Sequence, residues 1–193
     1  MFLICIIGPV GSGKTTITKY IINLLGENNC EYVSCDNYFL PNQNDYDIPQ
    51  AINKNLLYEH IQNLRSYNII HDAPMYSFKT HTSQNINTMY PKKFIFIEGH
   101  MVLELFDKNL FDFVIYIHQP DNICFQRRLK RDTEIREYRD KYNVAKQHFE
   151  KTLLNRILYV EPQMKKADLI ISNINEFVVV IIFMIINKIN GNY

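Results

Sequence analysis

Nine residues near the start of the chain, Gly8-Pro9-Val10-Gly11-Ser12-Gly13-Lys14-Thr15-Thr16, fit the spacing GxxxxGK[ST] in full. Residue types at this spacing do one kind of chemistry. Glycines let consecutive backbone N–H groups turn inward around a phosphate at a helix N-terminus, the lysine reaches the β and γ phosphates, and the Thr15 hydroxyl can ligate Mg²⁺. The motif has meaning only between a strand and a helix. Here the apolar run "FLICII" precedes it and a helical pattern follows. ATP or another nucleoside triphosphate, with Mg²⁺, is the expected ligand.

Two carboxylates stand where a reaction would need them. Asp36 closes "EYVSC" and Glu98 closes "KFIFI", and acids that follow apolar strands lie at the sheet edge where a phosphate loop also sits. Asp36 could accept the proton of an acceptor hydroxyl. Glu98 has the character of an acid that holds Mg²⁺ directly or through water, so Thr15, Glu98 and Asp36 form the candidate metal set. Either acid alone could equally be a turn or cap group.

The most cationic stretch runs from Asp121 to Asn143. Arg128 and Arg131 are three apart and share a helical face, from which they could close over a triphosphate and stabilise a transferring phosphoryl group. Two other readings stand beside this one. Asp132, Glu134, Glu137 and Asp140 are interleaved, which suits a solvated, salt-bridged helix. The segment 127–141 could also bind nucleic acid, although seven basic against four acidic residues leave it only +3.

The elements that must position these groups are short, continuous apolar runs: "FLICIIG", "EYVSCD", "KFIFIEG", "FVIYIH" and "DLIIS". Continuity rather than alternation marks strands covered on both faces. Between them lie helical stripes, one at Ile17, Ile21, Leu24 and Leu25 stopped by Gly26, another at Ile52, Leu56, Ile61 and Leu64 entered through Pro49. Strand and helix alternate, which predicts a three-layer α/β/α sandwich.

Length and composition bound the rest. A chain of 193 residues suits a single domain. With 21 basic and 20 acidic residues there is no general basic field for nucleic acid. Four cysteines without a zinc-ligand spacing suit reduced thiols in a cytoplasmic protein. The run 177–186, read as a buried terminal helix, is too short for a membrane span of about 20 residues.

In order along the chain, these motifs resemble the uridine kinase (uridine-cytidine kinase) family of P-loop nucleoside kinases. "GPVGSGKTT" corresponds to its P-loop, "SCDNYF" to its aspartate-bearing segment, and "YDIPQAIN" to its Phe-Asp-x-Pro signature. "PMYSFKTHTS" is similar to its hairpin, "IFIEG" to its Φ-Glu-Gly strand end, "RRLKRD" with "YRD" to its lid, and "EPQMKKADLII" to its last strand. The resemblance implies a central, mainly parallel five-stranded sheet, a substrate-side hairpin near 69–92 and a helical lid near 121–143.

It also implies roles. Asp36 would be the general base on the ribose 5′-hydroxyl, and Asp47, with Arg128, would grip the ribose hydroxyls. Tyr76 and His81 would read the base. Arg131 and Arg136 would contact the phosphates, with Lys14 and Arg131 joining Asp36 in catalysis. Arg139 and Gln147 would border the nucleoside. The chain departs from the family pattern at Ser77, Ser83, Ile135 and Glu137, and in a shorter segment from Asp36 to Asp47. The expected reaction is phosphorylation of uridine or cytidine at the 5′-hydroxyl by ATP, with a small-molecule nucleoside as partner and self-association into an oligomer. A kinase for another riboside such as nicotinamide riboside, a non-catalytic nucleotide-binding protein and a nucleic-acid-dependent ATPase are the alternatives.

Overall fold

A computed structural model describes residues 1–78, 80, 82–134, 141–172, 185 and 187. Five strands form one sheet: β1 (Phe2–Ile7), β2 (Cys30–Ser34), β5 (Phe94–Glu98), β6 (Phe113–Ile117) and β7 (Leu169–Ile171). Their order is β2-β5-β1-β6-β7 and every pairing is parallel. All five are the runs expected from their continuous apolarity.

The alternation of side chains along β1 explains the continuity. Leu3, Cys5 and Ile7 enter one core, with Leu57, Ile61 and Leu64 of α2 (Lys54–Arg65). Ile4 and Ile6 enter a second core on the opposite face, with Ile17, Ile21 and Ile22 of α1 (Lys14–Leu25). With a core on each face, a strand has no solvent side on which to carry polar residues. The result is the expected three-layer α/β/α arrangement.

Two helical readings need correction. In α1 the buried arc is rotated toward Thr18 and Ile22, and Leu24 is 51% exposed. Helical spacing alone left its centre free by one position. Pro49 does not enter α2. It opens a separate 3₁₀ turn, Pro49–Ala51, and Asn53 caps α2 by accepting a hydrogen bond from the Leu56 N–H at 3.2 Å.

The remaining elements gather at the carboxyl edge. β3 (Ile70–Ser77) and β4 (Thr82–Met89) form an antiparallel hairpin outside the main sheet. Its tip is held to the turn after β2: the Tyr76 N–H donates to Asn37 Oδ1 at 3.2 Å and the Ser83 hydroxyl to the Asn37 carbonyl at 3.2 Å. Ser77, the other departure here, accepts from the Thr80 N–H at 3.3 Å and closes the hairpin turn. A four-residue helix, α3 (Val102–Leu105), follows β5. Helices α4 (Asp121–Glu134) and α5 (Lys141–Asn155) pack together, with the Phe125 and Phe149 rings 5.1 Å apart. Of the run 177–186 only Ile185 lies among the described residues, and it is buried in the α1-side core. No described helix is long and apolar enough to cross a membrane.

Candidate active site

Strand register brings the chemistry to one edge. Glu98 pairs in register with Ile6 of β1 on one side and Ser34 of β2 on the other, so the strand-end groups and the loop after β1 start from the same level. The loop from Gly8 to Gly13 then turns back against the ends of β6 and α4. Gly8 and Gly11 have φ of 146° and 84°, in the half of conformational space that favours glycine. A Cβ on either would stand 2.4 Å from a backbone carbonyl oxygen, that of Ile117 or Cys124 respectively. The loop therefore packs closely against these two carbonyls, which only glycine allows.

A cavity of about 470 Å³ lies over this loop, lined by Val10, Gly11, Gly13, Lys14, Thr15, Thr16, Asp36, Glu98, His100, Arg127 and Arg131. Gly8, Pro9 and Ser12 support it from behind. The buried Ser12 hydroxyl has no hydrogen-bond partner among the described residues, and the Arg127 guanidinium donates to the Ser12 carbonyl at 2.9 Å. Lys14 folds onto its own loop, donating to the Pro9 carbonyl at 2.9 Å, and stands 4.0 Å from Glu98. Burial pushes the Lys14 ammonium below its ordinary pKa, and Glu98 and Asp36 push back. Cationic side chains from Lys14, Arg127 and Arg131 around a glycine-bearing loop fit a nucleotide triphosphate.

Glu98 is 5% exposed. Its Oε2 accepts from the Thr15 hydroxyl at 3.1 Å and from the Tyr32 hydroxyl at 2.7 Å. Burial raises its pKa, against the pull of Lys14 and the two hydroxyl donors. Among the described residues no cluster of three or more acidic, His or Cys side chains could hold a metal. The Thr15–Glu98 oxygen pair still fits Mg²⁺, which takes one or two protein oxygens and completes its shell from phosphate and water.

A second cavity, about 190 Å³, adjoins the first. Its floor is Asp36, Asp47 and His100, its aromatic wall Phe39, Tyr46, Tyr76 and Phe78, and its far wall Arg128, Arg131, Lys151 and Thr152. The Tyr76 ring packs edge-on against Phe39 and Phe78, with centroids 5.4 and 5.1 Å away. Val10, Asp36, His100 and Arg131 line both cavities, so these four mark the junction.

The arginines of α4 are set by a residue in their midst. Asp132 is buried, takes the Arg131 Nε–H at 3.1 Å and lies 3.5 Å from Arg128 Nε. Arg128 also donates to the Thr152 hydroxyl at 3.4 Å. From α5, Lys151 reaches the Asn44 carbonyl at 3.2 Å and Asn155 the Asp45 carboxylate at 3.0 Å, tying the segment before Asp47 to the helix pair.

The structure thus gathers Lys14, Thr15, Thr16, Asp36, Glu98 and Arg131 on one cavity and Asp36, Asp47, Tyr76 and Arg128 on the other. Gln147 is exposed on α5 and lines neither. His81, Arg136 and Arg139 lie outside the described residues. Sequence reasoning missed Tyr32, His100, Arg127 and Asp132. His100 was within reach, being the first side chain after the Glu98-Gly99 strand end, and Arg127 shares a face with Arg131 at four-residue spacing. Tyr32 carries no local signal, and Asp132 carried only the four-residue spacing from Arg128 that was read as a solvated ion pair.

Comparison with known proteins agrees with this geometry. The profile of the phosphoribulokinase/uridine kinase family matches residues 3–179. A uridine kinase of Borrelia garinii is 37% identical over 179 residues, spanning 88% of this chain and 85% of the relative. One from Haemophilus influenzae is 31% identical over 186 residues, with the same coverage of each. Among solved structures, a putative fructose transport system kinase from Silicibacter superposes with a TM-score of 0.72 at 16% identity, covering 88% of this chain and 89% of that one. A possible uridine kinase from Bacillus stearothermophilus gives 0.60 at 19%, covering 89% and 88%. These two likenesses bear on the fold.

Proposed function

The chain belongs to the phosphoribulokinase/uridine kinase family, and on that premise we propose that it transfers the γ-phosphoryl group of ATP to the 5′-hydroxyl of uridine or cytidine. One observation carries the reading. The two cavities meet at Asp36, so a base there faces an acceptor on one side and a phosphate chain on the other. The relatives named uridine kinase support a pyrimidine nucleoside over nicotinamide riboside.

The loop from Gly8 to Thr16, with Lys14 and Arg127, binds the triphosphate. Thr15 and Glu98 hold Mg²⁺, which neutralises charge on the phosphates when bound. Asp36 orients the 5′-hydroxyl and takes its proton. Asp47 and Arg128 grip the sugar, Tyr76 and His81 face the base, and Arg139 borders the nucleoside, whereas the exposed Gln147 takes no part. Arg131 and Arg136 sit over the reacting phosphoryl group, where closure of the helical lid excludes water as a competing acceptor. The three arginines of α4 line these cavities and pair with Asp132 and Ser12. That supports a lid rather than a nucleic-acid surface. The whole chain acts as one cytoplasmic domain on small molecules.

Asp36→Asn tests the reading. The substitution is expected to cut nucleoside-dependent ADP formation by about 10²- to 10⁴-fold, the usual worth of a general base, while ATP binding by calorimetry stays within about threefold. An unchanged turnover would remove Asp36 from the chemistry.

A further inference from the structure

His100 has a built environment that the roles above leave unused. It is 6% exposed, and its Nε2 is buried without a hydrogen-bond partner among the described residues. The nearest acidic oxygen, Asp47 Oδ1, is 3.6 Å away, too far for a direct hydrogen bond. The side chain lines the acceptor cavity and the triphosphate cavity. Its backbone is fixed: the buried Gln163 side chain donates to the His100 carbonyl at 2.7 Å and accepts from the Leu103 N–H at 2.8 Å. Gly99 before it leaves no slack, because a Cβ there would stand 2.8 Å from Cys35 Cβ. A rigidly held imidazole with an unpaired buried nitrogen is a costly arrangement in an empty protein.

A hydroxyl oxygen beside the gap resolves that cost. Seated about 2.8 Å from both atoms, an ordinary O–H and N–H hydrogen-bond length, it forms a triangle over the 3.6 Å base. It can donate to Asp47 Oδ1 and accept from an Nε2–H. The Nε2–H this needs is present both in one neutral tautomer of the imidazole and in the imidazolium.

We infer that His100 is a specificity-determining residue of the acceptor site, sharing a sugar hydroxyl with Asp47 so that the chain selects a riboside over the matching deoxyriboside. This rests on the nucleoside kinase reading and deepens it, adding a second ligand to the sugar. It also assigns Gln163 a positioning role for His100. A small recess of about 20 Å³, lined in part by His100, Asp47, Thr152 and Asn155, is large enough for one water. Such a water is the competing partner for Nε2.

The test compares wild type, His100→Phe and His100→Gln with uridine, 2′-deoxyuridine and 3′-deoxyuridine under saturating ATP and Mg²⁺. Loss of one hydrogen bond is worth roughly five- to tenfold. His100→Phe should therefore raise the uridine KM by roughly that factor, with an unfolding transition close to that of wild type as the check on folding. On the analogue lacking the shared hydroxyl it should have less than about a twofold effect, and His100→Gln should recover part of the loss. An equal effect on all three acceptors, or none, overturns the inference and assigns Nε2 to water. Wild type that phosphorylates another riboside in place of uridine sinks the pyrimidine reading alone, and the same ribose-against-deoxyribose comparison on that riboside then decides the role of His100.

Discussion

Asp132→Asn should disable the lid without touching the triphosphate loop. The carboxylate is 5% exposed, takes the Arg131 Nε–H at 3.1 Å and lies 3.5 Å from Arg128 Nε. Breaking a buried pair costs about 3 to 5 kcal/mol, but the Arg131 side chain is 33% exposed, and solvent screening reduces that figure. An asparagine keeps one oxygen as acceptor. A net loss of about 2 kcal/mol follows, seen as a fall in Tm of roughly 4 to 8 °C for a chain of this size. Function suffers more. An arginine displaced by about 1 Å from its working position costs about 10²-fold, so kcat should fall by that order while the Kd for ATP with Mg²⁺ changes less than about threefold. Steady-state kinetics with calorimetric ATP binding reads both. Because Asp132 acts through Arg131, the double variant Asp132→Asn/Arg131→Ala should be no slower than Arg131→Ala by more than about threefold. A kcat within about twofold of wild type, or losses that multiply in the double variant, would refute the claim that Asp132 sets the arginines.

Two further perturbations probe the donor side. Gly11→Ala places a Cβ 2.4 Å from the Cys124 carbonyl oxygen at φ 84°, so it should lower stability by about 2 kcal/mol or more and abolish measurable ATP binding. A variant that melts and binds as wild type does would show that the loop relaxes freely. Tyr32→Phe removes a hydroxyl donated to Glu98 at 2.7 Å. Burial already holds the Glu98 pKa above its ordinary value, and the Tyr32 hydroxyl lowers it by favouring the charged form. Its loss raises that pKa further, so the acid limb of kcat moves to higher pH, with little change near pH 8. Parallel pH profiles for the two proteins would contradict the role given to Tyr32.

The sequence made some of this legible for identifiable reasons. The central strands β1, β5 and β6 were readable because both faces of each are covered, which makes apolarity continuous. Glu98 and Asp36 were readable because a strand end fixes where the next side chain must lie. Helix faces were less secure: Leu24 and Ile22 differ by two positions and only the sheet decides which is buried. Pro49 was misplaced because a proline suits the first turn of either helix type. Tyr32 was invisible because its partner is chosen by tertiary geometry, whereas the pairing of Asp132 with Arg128 and Arg131 is local and only its burial was hidden. Tyr32 meets Glu98 across 66 residues, a contact set by the β2–β5 register. His100 stood at an inspected strand end, but nothing in its neighbours told a buried, unpaired imidazole from an exposed one.

The central claim is that the cavity meeting the phosphate loop at Asp36 accepts a pyrimidine nucleoside. The direct measurement is steady-state phosphorylation of uridine, cytidine, adenosine, guanosine and nicotinamide riboside with ATP and Mg²⁺, with the products identified by position of phosphorylation. Uridine or cytidine should give the highest kcat/KM and a 5′-monophosphate. Turnover of no pyrimidine nucleoside, or nicotinamide riboside outcompeting uridine, would contradict it.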